Sequence, residues 1–209
     1  MKVIGINGSP NAKGNTYQAM RMVFEELEKE NIETEIIQIG NKPIRSCIGC
    51  GKCYTDTGFC SAFKDDGLNE AIEKIREADG ILLGSPVHFS GITGAMKSFC
   101  DRLVYIAGNA EDLLFHKVGA AVTAVRRTGG SSALNIMHKY LQYCEMMVAT
   151  SNYWGVIHGR SAGEVQQDEE GKQIMRILGK NMVWQLKMRE QGLAYAPAKE
   201  KKVRTDFIR

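Results

Sequence analysis

The stretch Lys2-Val3-Ile4-Gly5-Ile6-Asn7-Gly8-Ser9-Pro10-Asn11-Ala12-Lys13-Gly14-Asn15-Thr16 begins as an apolar run of strand length, turns through glycines and a proline, and enters an amphipathic segment. In that segment Ala19, Met20, Val23, Phe24 and Leu27 recur at helical spacing, with Arg21, Glu25, Glu26 and Glu28 directed to solvent. A strand that passes through a short loop into a one-faced helix is half of a β-α-β unit. The pattern continues, with strands expected near 2–7, 33–39, 80–84, 117–123 and 148–157 and helices near 16–30, 67–78, 94–106, 132–144 and 169–190. Ile81-Leu82-Leu83 and Val118 to Val122 are apolar without alternation, as in strands covered by helices on both faces. The expected fold is α/β, with a doubly wound five-stranded parallel sheet in three layers.

The 209 residues are 44% hydrophobic and 24% charged, enough for one sizeable core. No repeat or linker divides them. One domain is expected over 1–190, followed by a basic tail over 191–209 carrying Lys199, Lys201, Lys202, Arg204 and Arg209. A net charge of +3, from 27 basic and 24 acidic residues, gives no ground for nucleic acid or an acidic membrane as partner. No apolar run approaches the roughly 20 residues of a membrane span. The first strand follows Met1 directly, which leaves no room for a signal peptide, so a cytoplasmic location is expected. Thiols there stay reduced, and four of the six cysteines fall within residues 47–60, which suggests metal or redox chemistry rather than disulfides. Cys100 and Cys144 lie on helical segments beside apolar residues and read as core.

Ligands of an open parallel sheet bind beyond the carboxyl ends of its strands, which directs attention to the loops after strands one, three and four. The first, Gly8 to Thr16, offers turning glycines, polar side chains at Ser9, Asn11, Asn15 and Thr16, and a helix N-terminus with favourable potential for a dianion. Lys13-Gly14-Asn15 is out of order for a nucleoside-triphosphate loop, and Gly5-Ile6-Asn7-Gly8 lacks the dinucleotide fingerprint. The loop suits one terminal monophosphate. Its alternative is a capped turn in which Asn15 or Thr16 satisfies helix N–H groups. The second loop contains Ser85, Pro86, Val87, His88, Phe89, Ser90 and Gly91, a short segment whose backbone donors and planar side chains match the edge and face of a flavin. His88 suits stacking better than proton transfer. The third, Arg126-Arg127-Thr128-Gly129-Gly130, ends at another helix start, and its guanidinium groups either meet a phosphate or are simply solvated.

G-S-P-N-x-x-G-N-T after strand one and G-S-P-V-H-F-S-G-I-T-G after strand three resemble the NAD(P)H-dependent FMN reductase family of the flavodoxin-like fold, over most of the chain. The resemblance implies FMN, with its phosphate at Ser9, Asn11, Asn15 and Thr16, its ring at Ser85 to Gly91, and weaker contributions from Thr128 and Gly129. It also implies NAD(P)H as co-substrate and a homodimer or homotetramer.

Cys47, Cys50, Cys53 and Cys60 form a C-x2-C-x2-C-x6-C run after strand two. Three thiolates two residues apart fold around one corner of a cubane, and a fourth completes four-thiolate ligation. Zinc accepts the same ligands but more often from separated C-x-x-C pairs. The spacing looks like the compact motif of the iron-sulfur flavoproteins, a branch of the same family, which implies a four-iron four-sulfide (4Fe-4S) cluster. Related flavoproteins with cysteines here and no cluster leave a loop of packing thiols as the alternative. Tyr153 and Trp154 are placed at the same sheet edge, either lining the substrate side or packing as a buried strand end. The expected function is an oxidoreductase passing electrons from NAD(P)H through flavin to a small-molecule or protein acceptor, with no catalytic acid or base assigned. The rival is a non-catalytic redox-sensing or zinc-binding module.

Overall fold

Strand β1 (Lys2–Asn7) lies inside the sheet, paired in parallel with β2 (Glu33–Gln38) on one side and with β3 (Gly80–Pro86) on the other. Next comes β4 (Val118–Val125), giving the order β2-β1-β3-β4, in which the chain reverses direction of travel between β1 and β3. That reversal opens a crevice at the carboxyl ends of these two strands. The computed structural model describes residues 1–209 except 56, 57, 111, 112, 201, 204, 206, 208 and 209, so Lys201, Arg204 and Arg209 of the expected tail lie outside the described residues.

Successive strand residues feed two apolar clusters on opposite faces. Val3, Leu82, Ala120 and Val122 meet Met20, Phe24 and Leu27 of α1 (Asn15–Glu28) and Met175 and Met182 of α5 (Glu169–Gly192). Ile4, Ile6, Ile81 and Leu83 meet α2 (Leu68–Glu77), α3 (Gly94–Ala107) and α4 (Gly130–Tyr143) through Ile72, Phe99, Leu103 and Met137. Each such side chain contributes about 1.5–3 kcal/mol on burial, which is why the unalternating strands need helices on both sides. Three layers result. Cys100 is buried and Cys144 half-buried; burial pushes the Cys100 thiol well up and the Cys144 thiol up to about 11, leaving both as unreactive packing groups.

One expected element is different. In place of a strand over 148–157, β5 (Met147–Val148) and β6 (Val156–His158) pair with opposite ends of β4, and residues 149–155 leave the sheet. Thr150-Ser151-Asn152 favours local side-chain bonding over a ladder, and α5 holds the excursion out. Ser151 Oγ donates to the Ile174 carbonyl at 2.7 Å, and Asn181 Nδ2 donates to the Thr150 carbonyl at 2.6 Å. Tyr153 and Trp154 then pack edge to face, both half-exposed, so Trp154 is not a buried strand end.

Helix α5 continues two residues past the expected domain end, to Gly192, and a 3-10 turn over Leu193–Tyr195 follows. Beyond it, Lys199 and Lys202 lie over the rings of Phe115 and Tyr143, at 5.4 and 3.8 Å from the ring centres. Among the described residues no helix is long and apolar enough to cross a membrane.

Candidate functional site

The loops after β1 and β3 are clasped together at the crevice. Gly8 N donates to the Gly84 carbonyl at 2.8 Å, and Thr93 Oγ1 donates to the Gly8 carbonyl at 2.8 Å. The same Thr93 hydroxyl caps α3 by accepting from Met96 N, and Thr93 N donates to Ser85 Oγ, itself donating to the Pro86 carbonyl. Thr93 precedes an apolar-periodic segment, which is a helix-start signal legible in sequence; its clasping of Gly8 is not.

Around the first loop the side chains bond the backbone. Asn7 Oδ1 accepts from Ser9 N at 3.0 Å, Ser9 Oγ accepts from Asn11 N at 3.1 Å, and Gln38 Nε2 donates to the Ser9 carbonyl at 2.6 Å. Asn11 itself is exposed. Gly14 occupies the cap position of α1 and no side chain caps that helix, so the loop is not the capped turn that sequence left open. Thr16 Oγ1 is buried there without a hydrogen-bond partner. Asn15, expected to face a phosphate, is engaged elsewhere: its Nδ2 donates to the Ser161 carbonyl at 2.9 Å and its Oδ1 accepts from Gly163 N at 2.8 Å. It ties the segment after β6 to the loop.

The second loop is a tight hairpin in which His88 and Gly91 exchange two backbone hydrogen bonds of 2.9 Å. Its two central residues, Phe89 and Ser90, are left-handed at φ 47° and 62°. Bulky non-glycine residues seldom adopt that conformation, and such strain concentrates at binding sites. The turn leaves the Phe89 ring fully exposed, so Phe89 does not close a pocket within this chain. Val87 N donates to the Ala124 carbonyl at 3.3 Å, anchoring the loop to β4. Gly129 packs against it from the third loop: its φ is 87°, and a Cβ would stand 2.9 Å from Ser90 Cα and 3.0 Å from Val87 Cγ1. Thr128 and the arginines before it are exposed on the same loop. The loops after β1, β3 and β4 therefore share one edge of the sheet.

Cys47, Cys50, Cys53 and Cys60 line a single pocket against α3, together with Ser61 and Arg102. Gly49 and Gly51, left-handed at φ 63° and 70°, let the loop turn between the first three thiols. On α2, Asn69 clasps Cys60 by accepting from its N–H at 2.9 Å and donating to its carbonyl at 3.1 Å. On α3, Ser98 bonds Ser46 at 3.0 Å, while the fully buried Arg102 donates to the carbonyls of Arg45 and Phe63 and pairs with Asp66. Burial pushes the Cys53 thiol up, and the charges of Cys47, Cys50 and Cys60 add to that effect. Among the described residues no three His, Cys, Asp or Glu side chains converge tightly enough to hold one metal ion. Thr93, Gln38, Ser61, Asp66 and Arg102 were not anticipated, and only Thr93 carries a local sequence signal.

The family model for NADPH-dependent FMN reductase matches residues 1–161. The chain belongs to that family. An iron-sulfur flavoprotein of Methanocaldococcus jannaschii is 35% identical over 195 residues, covering 90% of this chain and 98% of that one. An iron-sulfur flavoprotein of Methanosarcina thermophila is 30% identical over 185 residues, covering 87% and 93%. Among solved structures, RosB with a bound riboflavin-phosphate intermediate superposes with a TM-score of 0.71 at 16% identity, covering 99% of this chain and 92% of that one. An archaeal flavodoxin gives 0.58 at 18% identity, covering 90% and 99%. The fold is flavodoxin-like, and family membership makes the protein an FMN-dependent oxidoreductase of the flavoprotein class.

Thr93→Val should remove the α3 cap and leave the Gly8 carbonyl bare, costing about 2–3 kcal/mol of stability. Urea unfolding at unchanged slope is the measurement; a midpoint within error of the parent would mean that the two loops are not held by this hydroxyl.

Proposed function

We propose that the protein takes electrons from NAD(P)H onto FMN held in the crevice between the β1 and β3 loops, and delivers them to a small-molecule or protein acceptor. The observation that carries this reading is the buried, unpartnered Thr16 hydroxyl at the uncapped N-terminus of α1, at the topological switch point. A buried hydroxyl without a partner is costly, and an anion seated on the first turn of α1 would satisfy it together with the free helix N–H groups. Ser9, bonded to Asn11 N, shapes the same loop, and Asn15 ties it to the segment after β6. FMN, when bound, supplies the two-electron chemistry that a reduced nicotinamide needs. The chain's contribution is orientation. With the ring at this sheet edge, His88 and Phe89 on the strained turn would border it, as would Thr128 and Gly129 on the loop packed against that turn.

The four cysteines fit a 4Fe-4S cluster in donor chemistry and in placement, since all four line one pocket. Zinc accepts the same thiolates but more often from separated C-x-x-C pairs than from one compact run. Such a cluster would give the flavoprotein a one-electron outlet. The names of the two archaeal relatives point the same way. A cytoplasmic homo-oligomer is part of this reading: exposed Phe89, Trp154 and Trp184 leave aromatic surface for a second copy. Light scattering at micromolar concentration should give at least a dimer mass, and a monomer would reject the assembly.

Purified protein should release FMN and not FAD, and should oxidise NAD(P)H with a quinone or dye acceptor. No turnover with any acceptor would favour a sensing module. Thr16→Val should weaken FMN binding by about 1.5–3 kcal/mol while leaving the flavin-free protein as stable as the parent or more so. A fluorescence titration showing parental affinity would move the phosphate elsewhere. Anaerobic protein should contain about four irons and four sulfides per chain, as a cubane on four thiolates requires. Cys50→Ala should lose them and keep FMN; stoichiometric zinc instead would refute the cluster.

A further inference from the structure

Among the described residues four buried side-chain polar atoms lack a hydrogen-bond partner, and two of them, Ser61 Oγ and Arg102 Nε, belong to residues lining the cysteine pocket. Buried polar atoms are almost always paired, so two bare ones at one pocket call for a common acceptor. Both atoms are hydrogen-bond donors, and Arg102 has no acceptor atom at all. The other ends of the guanidinium are committed: Nη1 to the Arg45 carbonyl at 3.2 Å and to Asp66, Nη2 to the Phe63 carbonyl at 2.9 Å. Those bonds fix its plane and leave Nε as the one guanidinium nitrogen without a partner. The same pocket is lined by the four cysteines, whose sulfur atoms can accept hydrogen bonds. An arginine guanidinium is not deprotonated in proteins, so Arg102 stays cationic.

We propose that Ser61 Oγ and Arg102 Nε donate to the sulfur atoms of the centre held by Cys47, Cys50, Cys53 and Cys60, and that the buried Arg102–Asp66 pair sets its reduction potential. This inference rests on the reading of those cysteines as cluster ligands. Donors to sulfur and nearby positive charge favour the more negative, reduced state, so each donor raises the potential. Asp66 has the opposite effect: its carboxylate offsets the guanidinium. Two residues of one ion pair therefore act on the centre with opposite sign.

The test uses full-length, anaerobically reconstituted protein: parent, Ser61→Ala, Arg102→Gln and Asp66→Asn. Iron and sulfide per chain are measured first, then the reduced-centre EPR signal in a mediated titration. With the solution poised at the parental midpoint, the oxidised-to-reduced ratio should rise roughly five- to tenfold in Ser61→Ala and in Arg102→Gln, the size of one ordinary net hydrogen bond. It should fall below one in Asp66→Asn. A merely structural role for the pair would change loading in one direction and would not give opposite shifts. A loaded Ser61→Ala with the parental ratio overturns the proposal even where Arg102→Gln fails to fold or load. A parent chain that takes up no iron and sulfide overturns the cluster reading itself, an outcome visible before any variant is measured.

Discussion

The pairing of β1 with β3 is the constraint on which the rest depends. Because β1 is flanked by β2 on one side and β3 on the other, helices leave the sheet in opposite directions at this one seam. The loops that follow the two strands cannot close over each other and instead stand apart as walls. The Gly8 N–H to Gly84 carbonyl bond continues the ladder one step past the strands, and the Thr93 hydroxyl then joins the walls at their base. A crevice with a rigid floor and open top follows from strand order before any side chain is chosen.

On that floor the protein keeps several locally unfavourable features. Thr16 has a buried hydroxyl without a partner, α1 starts without a side-chain cap, and Phe89 and Ser90 sit left-handed in succession. Each costs on the order of 1–3 kcal/mol. The surrounding frame over-determines them: two apolar clusters fix the sheet, two hydrogen bonds close the hairpin, and Gly129 packs beneath it where a Cβ would not fit. Strain gathered at one sheet edge and offset by packing elsewhere is how a site stays shaped without its ligand.

Helix α3 links the two chemistries. Its N-terminus is capped by the residue that clasps the β1 and β3 loops, and Arg102, about 12 Å further along at 1.5 Å per residue, holds down the cysteine loop. Replacing a buried ion pair by apolar residues is often neutral for stability, so stability alone is a weak reason for a buried guanidinium and carboxylate here. Asp66 also accepts from Arg45 N, and Arg102 reaches carbonyls at both ends of the loop. The pair fixes a long irregular segment that has no ladder of its own.

Local sequence patterns were enough for the layered α/β fold, for the placement of most elements to within two residues, and for the three loops that gather at one edge. Those features arise from local periodicity, from turn chemistry and from the rule that ligands sit beyond strand ends, all legible over windows of a few residues. The C-x2-C-x2-C-x6-C spacing was equally local. Tertiary structure alone decided that Asn15 braces a segment 146 residues away, that strand five breaks where α5 bonds Thr150 and Ser151, and that Ser61, Asp66 and Arg102 surround the thiols. Asp66 and Arg102 are 36 positions apart on different elements, and neither belongs to a spacing pattern. A hydrogen bond between distant residues depends on how helices pack, and packing is set by the whole core at once rather than by any stretch that contains the two partners.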